Sequence, residues 1–133
     1  MAIQAMKDYA ISDHGLKLRA IRGAITSAEN SSAAMESAVR ELTNELLKRN
    51  HLNPENIISI TFSVTADLNA CFPAAIVRRQ SGWDQVALLD CQQMAVEGDL
   101  QRCIRMLTYA WLPPDQPPKH PYLGQASILR PDR

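Results

Sequence analysis

Four arginines stand in text that is otherwise apolar: Arg22 within Ile21-Arg22-Gly23-Ala24-Ile25, Arg78 after Ile76-Val77, Arg105 between Cys103-Ile104 and Met106-Leu107, and Arg130 after Ile128-Leu129. A guanidinium in such surroundings loses hydration unless an anion or a carboxylate meets it. Its planar fork of donors suits carboxylates in particular. For any one of the four, an Asp or Glu of this chain or of a neighbouring copy is partner enough. Four together suggest a site that collects a polyanionic small molecule. Ten Arg against only four Lys point the same way, although a genome rich in Arg codons gives the same count.

Other chemistries find little support. His14, His51 and His120 lie far apart, and none has a Cys, His or Glu at ligand spacing, so no metal is expected. Cys71, Cys91 and Cys103 form no C-x-x-C pair and read as reduced, structural thiols. There is no G-x-S-x-G, and Gly15, Gly23, Gly82, Gly98 and Gly124 are scattered, which leaves no glycine-rich loop for a nucleotide phosphate. No cofactor is expected.

The elements that must position the arginines follow from periodicity. Leu16 to Ile25 reads as a strand in which Gly23 permits a bulge or a close backbone approach. Asn30-Ser31-Ser32 offers N-caps, and Met35, Ala38, Val39, Leu42 and Leu46 recur at helical spacing until Asn50-His51 and Asn53-Pro54 stop the run. Ile57–Thr65 alternates, with Ile58, Ile60, Phe62 and Val64 expected on a dry face and Ser59, Thr61, Ser63 and Thr65 on a wet one. Pro73 opens a short helix to Gln80, closed by Ser81-Gly82. Val86–Leu89 is a brief strand and Glu97-Gly98-Asp99 a turn. Around Cys103–Trp111, Leu100, Ile104 and Leu107 fit a helix while Cys103, Arg105, Leu107, Tyr109 and Trp111 fit one face of a strand, and the β-branched and aromatic content toward Trp111 favours the strand. Pro113–Pro121, with five prolines, must be a stiff exposed loop, and Ala126–Leu129 reads as a last short strand.

This order predicts an α+β domain on one mixed or antiparallel sheet, with one long and one short helix. The long helix covers one face of the sheet, so the other face needs a partner, and an oligomer is expected. Residues 1–15 read as an N-terminal extension and 16–133 as the domain. The composition agrees: 133 residues, 46% hydrophobic, with fourteen basic and fourteen acidic side chains and net charge zero. A neutral chain with seven aromatics lacks the basic stripe and stacking platform of a nucleic-acid binder. No apolar run approaches the roughly 18 residues of a membrane span, and a cytoplasmic location is expected.

In this order the segments resemble the monofunctional chorismate mutases of the trimeric AroH class. The resemblance rests on Ile21-Arg22-Gly23-Ala24, Asp67-Leu68, Phe72-Pro73-Ala74, Ser81-Gly82-Trp83, Cys103-Ile104-Arg105, His120-x-Tyr122-Leu123 and Leu129-Arg130-Pro131-Asp132, from about Arg19 to the C-terminus. It implies a homotrimer of pseudo-α/β-barrel form, active sites between subunits, and conversion of chorismate to prephenate. That reaction is an intramolecular Claisen rearrangement, which asks for orientation and preorganised positive charge. By the same resemblance Arg105 is the donor to the ether oxygen, while Arg22 and Tyr122 grip a substrate carboxylate. Phe72, Ala74, Leu88, Leu89 and Leu129 are implied as apolar lining, and Arg78 and Arg130 as basic residues near the mouth.

Three positions depart from the family pattern. Ala75 stands where a lysine is expected, Asp90 where a cysteine is, and Gln93 where a glutamate would accept the ring hydroxyl and pair with the key arginine. Gln93 can accept the hydrogen bond but carries no charge. Asp90 is therefore a candidate for the missing carboxylate, and Arg79, one helical turn beyond Ala75, for the missing cation. Two other readings of the arginines are a reactive-imine deaminase, which needs one arginine and a positioned water, and a non-catalytic trimer that binds a metabolite.

Overall fold

The computed structural model describes residues 15–130. Met1–His14 of the expected extension, and Pro131 and Asp132 of the last motif, lie outside the described residues. The elements are β1 (Lys17–Thr26), α1 (Ser32–Asn50), a 3-10 turn (Pro54–Asn56), β2 (Ile57–Val64), α2 (Pro73–Arg78), β3 (Ala87–Gln92), β4 (Cys103–Leu112) and a closing 3-10 helix (Gly124–Leu129). The four strands make one mixed sheet in the order β1-β4-β2-β3. β4 is antiparallel to both β1 and β2, and β2 and β3 run parallel across the α2 crossover.

Helix α1 starts where Ser31 caps it, its hydroxyl accepting from Ala34 N at 3.1 Å. His51, at φ 52°, ends it in the left-handed conformation usually left to glycine. The expected stripe of Met35, Ala38, Val39, Leu42 and Leu46 is buried against Ile21, Ile60, Phe62, Ile104 and Leu112 of the sheet. Burial of this apolar stripe holds the helix to the sheet.

Four local expectations are corrected. Ala126–Leu129 is not a strand but part of the closing 3-10 helix, because Gly124 (φ 58°) turns the chain against Thr26 and only Tyr122 bridges β1, at Ala24. The third strand runs on past Leu89 to Gln92, since parallel pairing with β2 carries it through polar residues. Ile58 is 40% exposed rather than inside, as the register of β2 on β4 shifts between Ile57 and Ser59 and turns it outward. The short helix ends at Arg78, with a turn through Gln80 completing the segment.

The proline-rich loop is tied to the core by one residue. Buried Asn50 donates from Nδ2 to the carbonyls of Leu46 (3.0 Å) and Lys119 (2.9 Å), and its Oδ1 accepts from Lys119 N at 2.7 Å. The loop then returns along β1, where Ala24 N donates to Pro121 O and Leu123 N to Ala24 O. Gly23 permits that return: a Cβ there would stand 2.7 Å from Pro121 O and 2.8 Å from Met106 Cε.

Candidate active site

Register places the chemistry on the sheet face opposite α1. Arg22, Leu107, Thr61 and Leu89 form one row across the four strands, and Ala24, Arg105, Ser63 and Cys91 form the next. Arg22 and Arg105 are thus on one face, on adjacent strands, two residues out of step. The C-terminal segment covers part of this face, packing Tyr122 and Ala126 on Ala24 and Cys103 with Leu129 beside them. Between that cover and the open sheet lies a cavity of about 640 Å³, bounded by Arg22, Gln93, Arg105, Tyr122, Leu129 and Arg130 together with Thr61 and Ser63. Six of the residues singled out from the sequence meet here: Arg22, Gln93, Arg105, Tyr122, Leu129 and Arg130.

Their partners define the electrostatics. Arg105 Nη2 donates to Asp99 Oδ1 at 2.8 Å, an ion pair with both side chains three-quarters or more buried. Gln93 is held at both ends, its backbone N–H donating to Val64 O at 2.8 Å and its Oε1 accepting from the Ser63 hydroxyl at 2.6 Å. The guanidinium of Arg130 lies 6.0 Å from the centre of the Tyr122 ring. The backbone N–H of Arg22 donates to His120 Nδ1 at 2.9 Å, which fixes the end of the proline-rich loop at the cavity's edge.

A second cavity, of about 530 Å³, lies at the N-terminus of α2 and is lined by Phe72, Ala75, Asp90 and Cys91 among others. It shares no lining residue with the first. Asp90 accepts from Ala74 N at 3.1 Å, so within one chain its carboxylate serves the start of α2, while Asp99 meets Arg105. Burial pushes the Asp90 carboxyl above its usual range, against the pull of the Ala74 N–H and the nearby Arg78 charge. Phe72 is 70% exposed, whereas Ala74 is buried. Leu88 packs on the core and Leu89 faces the open side, as neighbours on a strand must. Arg78 is exposed at the end of α2, and Arg79 pairs with Glu36 across to α1 at 3.7 Å.

Sequence reasoning missed Asp99 and Ser63. For Ser63 the signal was present, since it sits on the wet face of an alternating strand. Asp99 was legible only as a turn residue. Gly98, at φ 83°, swings it back toward the strand it precedes.

The chain matches the family model for chorismate mutase type I over residues 18–133. It belongs to that family. It is similar to the chorismate mutase AroH of Bacillus subtilis (strain 168), with 36% identity over 118 residues that cover 88% of this chain and 93% of the relative. It is also 40% identical over 118 residues to the chorismate mutase AroH of Thermus thermophilus, covering 86% and 95% of the two chains. Among solved structures, a chorismate mutase from Clostridium thermocellum superimposes with a TM-score of 0.76 at 36% identity, covering 83% of this chain and 98% of the other. The α+β fold and mixed sheet are thus those of a chorismate mutase. No helix among the described residues is long and apolar enough to cross a membrane.

Proposed function

We propose that this chain, a chorismate mutase by family, converts chorismate to prephenate in the cytoplasm as a homotrimer, at sites completed between neighbouring copies. The observation that carries the chemistry is the gathering of Arg22, Arg105, Tyr122 and Arg130 around one cavity on the open sheet face. Among the three readings of the arginines, this arrangement favours a substrate with several anionic or electron-rich groups over the single carboxylate of an imino acid.

The reaction is an intramolecular rearrangement in which the ether C–O bond lengthens while a C–C bond forms. Negative charge grows on the ether oxygen in the transition state, and a fixed donor aimed there lowers the barrier. Arg105, held by Asp99, is that donor in this reading. Arg22 and Tyr122 take one carboxylate, Gln93 meets the ring hydroxyl, and Arg130 draws the dianion in. Phe72, Asp90 and Ala75 line a half-site that a neighbouring copy would bring against the first cavity. Ala74 and Leu88 support that wall from behind, Leu89 extends it and Arg78 borders it. Assembly is supported by the open face itself, on which Leu107, Tyr109 and Leu89 are 38%, 42% and 59% exposed.

The test is the loss of chorismate's diene absorbance with purified protein, followed by acid conversion of the product to phenylpyruvate. Turnover to prephenate is expected. An intact oligomer that binds chorismate without turnover would overturn the reading in favour of a binding role.

A further inference from the structure

We propose that Asp99 is the positioning residue for Arg105, holding the guanidinium from outside the substrate cavity in place of a carboxylate at position 93. The inference rests on the mutase reading above and deepens it. The charge opposite Arg105 stands at an unusual place: the cavity residue that could have paired with it is the neutral Gln93, whose Oε1 is engaged by Ser63 at 2.6 Å. The carboxylate that meets Arg105 is Asp99, at 2.8 Å.

Asp99 does not line the cavity that Arg105 faces. It belongs to an adjoining pocket with Thr65, Val96 and Leu100, and Gln93 stands between the two as a shared wall. Asp99 is itself fixed. Its Oδ1 also accepts from Leu100 N at 2.8 Å, and its N–H donates to Val96 O at 3.1 Å, in a turn that Gly98 makes possible at φ 83°. A guanidinium has five N–H donors, and the Asp99 bond occupies one of them. The Arg105 side chain is also hydrogen-bonded to the Cys103 thiol, so its freedom is removed from two sides while its remaining donors face the cavity.

Placing the carboxylate behind the arginine separates two effects that a cavity carboxylate would combine. Either location orients the guanidinium. A carboxylate at position 93 would also face the substrate's own negative charges, whereas one at position 99 is a wall away. The location therefore predicts a particular split between kcat and KM. Asp99→Asn retains an acceptor for Leu100 N and preserves the turn but weakens the hold on Arg105. It is expected to lower kcat about ten-fold with KM unchanged or lower. Asp99→Ala is expected to lower kcat about ten- to a hundred-fold, and adding Gln93→Glu to it is expected to restore much of the loss by holding Arg105 from the cavity side. Gln93→Glu alone should raise KM.

The experiment measures kcat and KM for chorismate with full-length wild type, the three single variants and the double variant, with far-UV circular dichroism and native mass as controls. A wild type that turns over while well-folded Asp99→Asn keeps wild-type kcat would overturn the Asp99 proposal and leave the mutase reading standing. Failure of Gln93→Glu to improve a folded Asp99→Ala protein would reduce Asp99 to a turn former and equally overturn it. A wild type without turnover would overturn both.

Discussion

Arg105 combines a permanent charge with a forked geometry, and the proposed chemistry uses both. Arg105→Ala is expected to reduce kcat by 10²–10³, about 3–4 kcal/mol of transition-state stabilisation, as for loss of other preorganised donors. Arg105→Lys should be nearly as damaging, because an ammonium on a shorter stem cannot reach Asp99 and the ether oxygen together. Steady-state kinetics of the two variants checks this, and near-normal activity of the lysine variant would remove Arg105 from its role. Asp67 gives a residue-scale expectation of a different kind. Although burial pushes its carboxyl upward, hydrogen bonds from the Thr65 hydroxyl and Arg102 N, with the Arg102 charge, hold it below the usual carboxylate range. A depressed carboxyl contributes stability that is present above its unfolded value and lost as pH falls through the folded one. Asp67→Asn should therefore be less stable than wild type at pH 7, with the gap closing below about pH 4. Thermal unfolding across that range measures it.

Among the elements, β1 and the returning C-terminal segment depend on one missing side chain. Gly23→Ala would push a methyl group into Pro121 O and Met106 Cε, the first of which is backbone and has little room to give. A loss of about 1–3 kcal/mol in stability is expected. Turnover should fall too, since the same contact sets Tyr122 over Ala24. Denaturant unfolding together with kinetics tests both parts. Much at this scale was legible in the sequence: the long helix from its cap and its period of apolar residues, Gly23 from its place inside a strand, and Cys103–Trp111 from its aromatic end. What was not legible had physical causes. A four-residue segment such as Ala126–Leu129 has too few residues to carry a period, and the backbone turn at Gly124 decided it. The ion pair between Asp99 and Arg105 depends on a left-handed glycine redirecting the chain, which the spacing of residues along the sequence does not reveal. The bulge at Ile58 shifted one residue of an otherwise regular alternation, so the inward face began at Ile57 and resumed at Ile60.

For the whole molecule, the sheet has one face sealed by α1 and another on which apolar side chains and arginines are open together. A homotrimer that closes this face predicts that specific activity falls on dilution below the assembly range. It also predicts that Tyr109→Asp separates the copies and lowers turnover, although Tyr109 lines neither of the two cavities. Light scattering and activity measured over the same concentration series check this, and full activity from a monomeric variant would refute shared sites. The α+β class was readable because alternating and helical periods occurred in a clear order. The strand order β1-β4-β2-β3 was not, because periodicity describes each strand by itself and the pairing of the first with the last is fixed only by which edges remain once the core closes.

That strand order also governs when function can arise during synthesis and refolding. Arg22 enters on the first strand and Arg105 on the last, and their register is set by β1–β4 pairing, the longest-range contact in the sheet. Closing so large a loop costs entropy before any ladder bond compensates, so this pairing should form late, well after α1 acquires its helix. A nascent chain with most of its length already made would still lack half of the arginine pair, and regain of activity after dilution from denaturant should lag behind recovery of the helical signal.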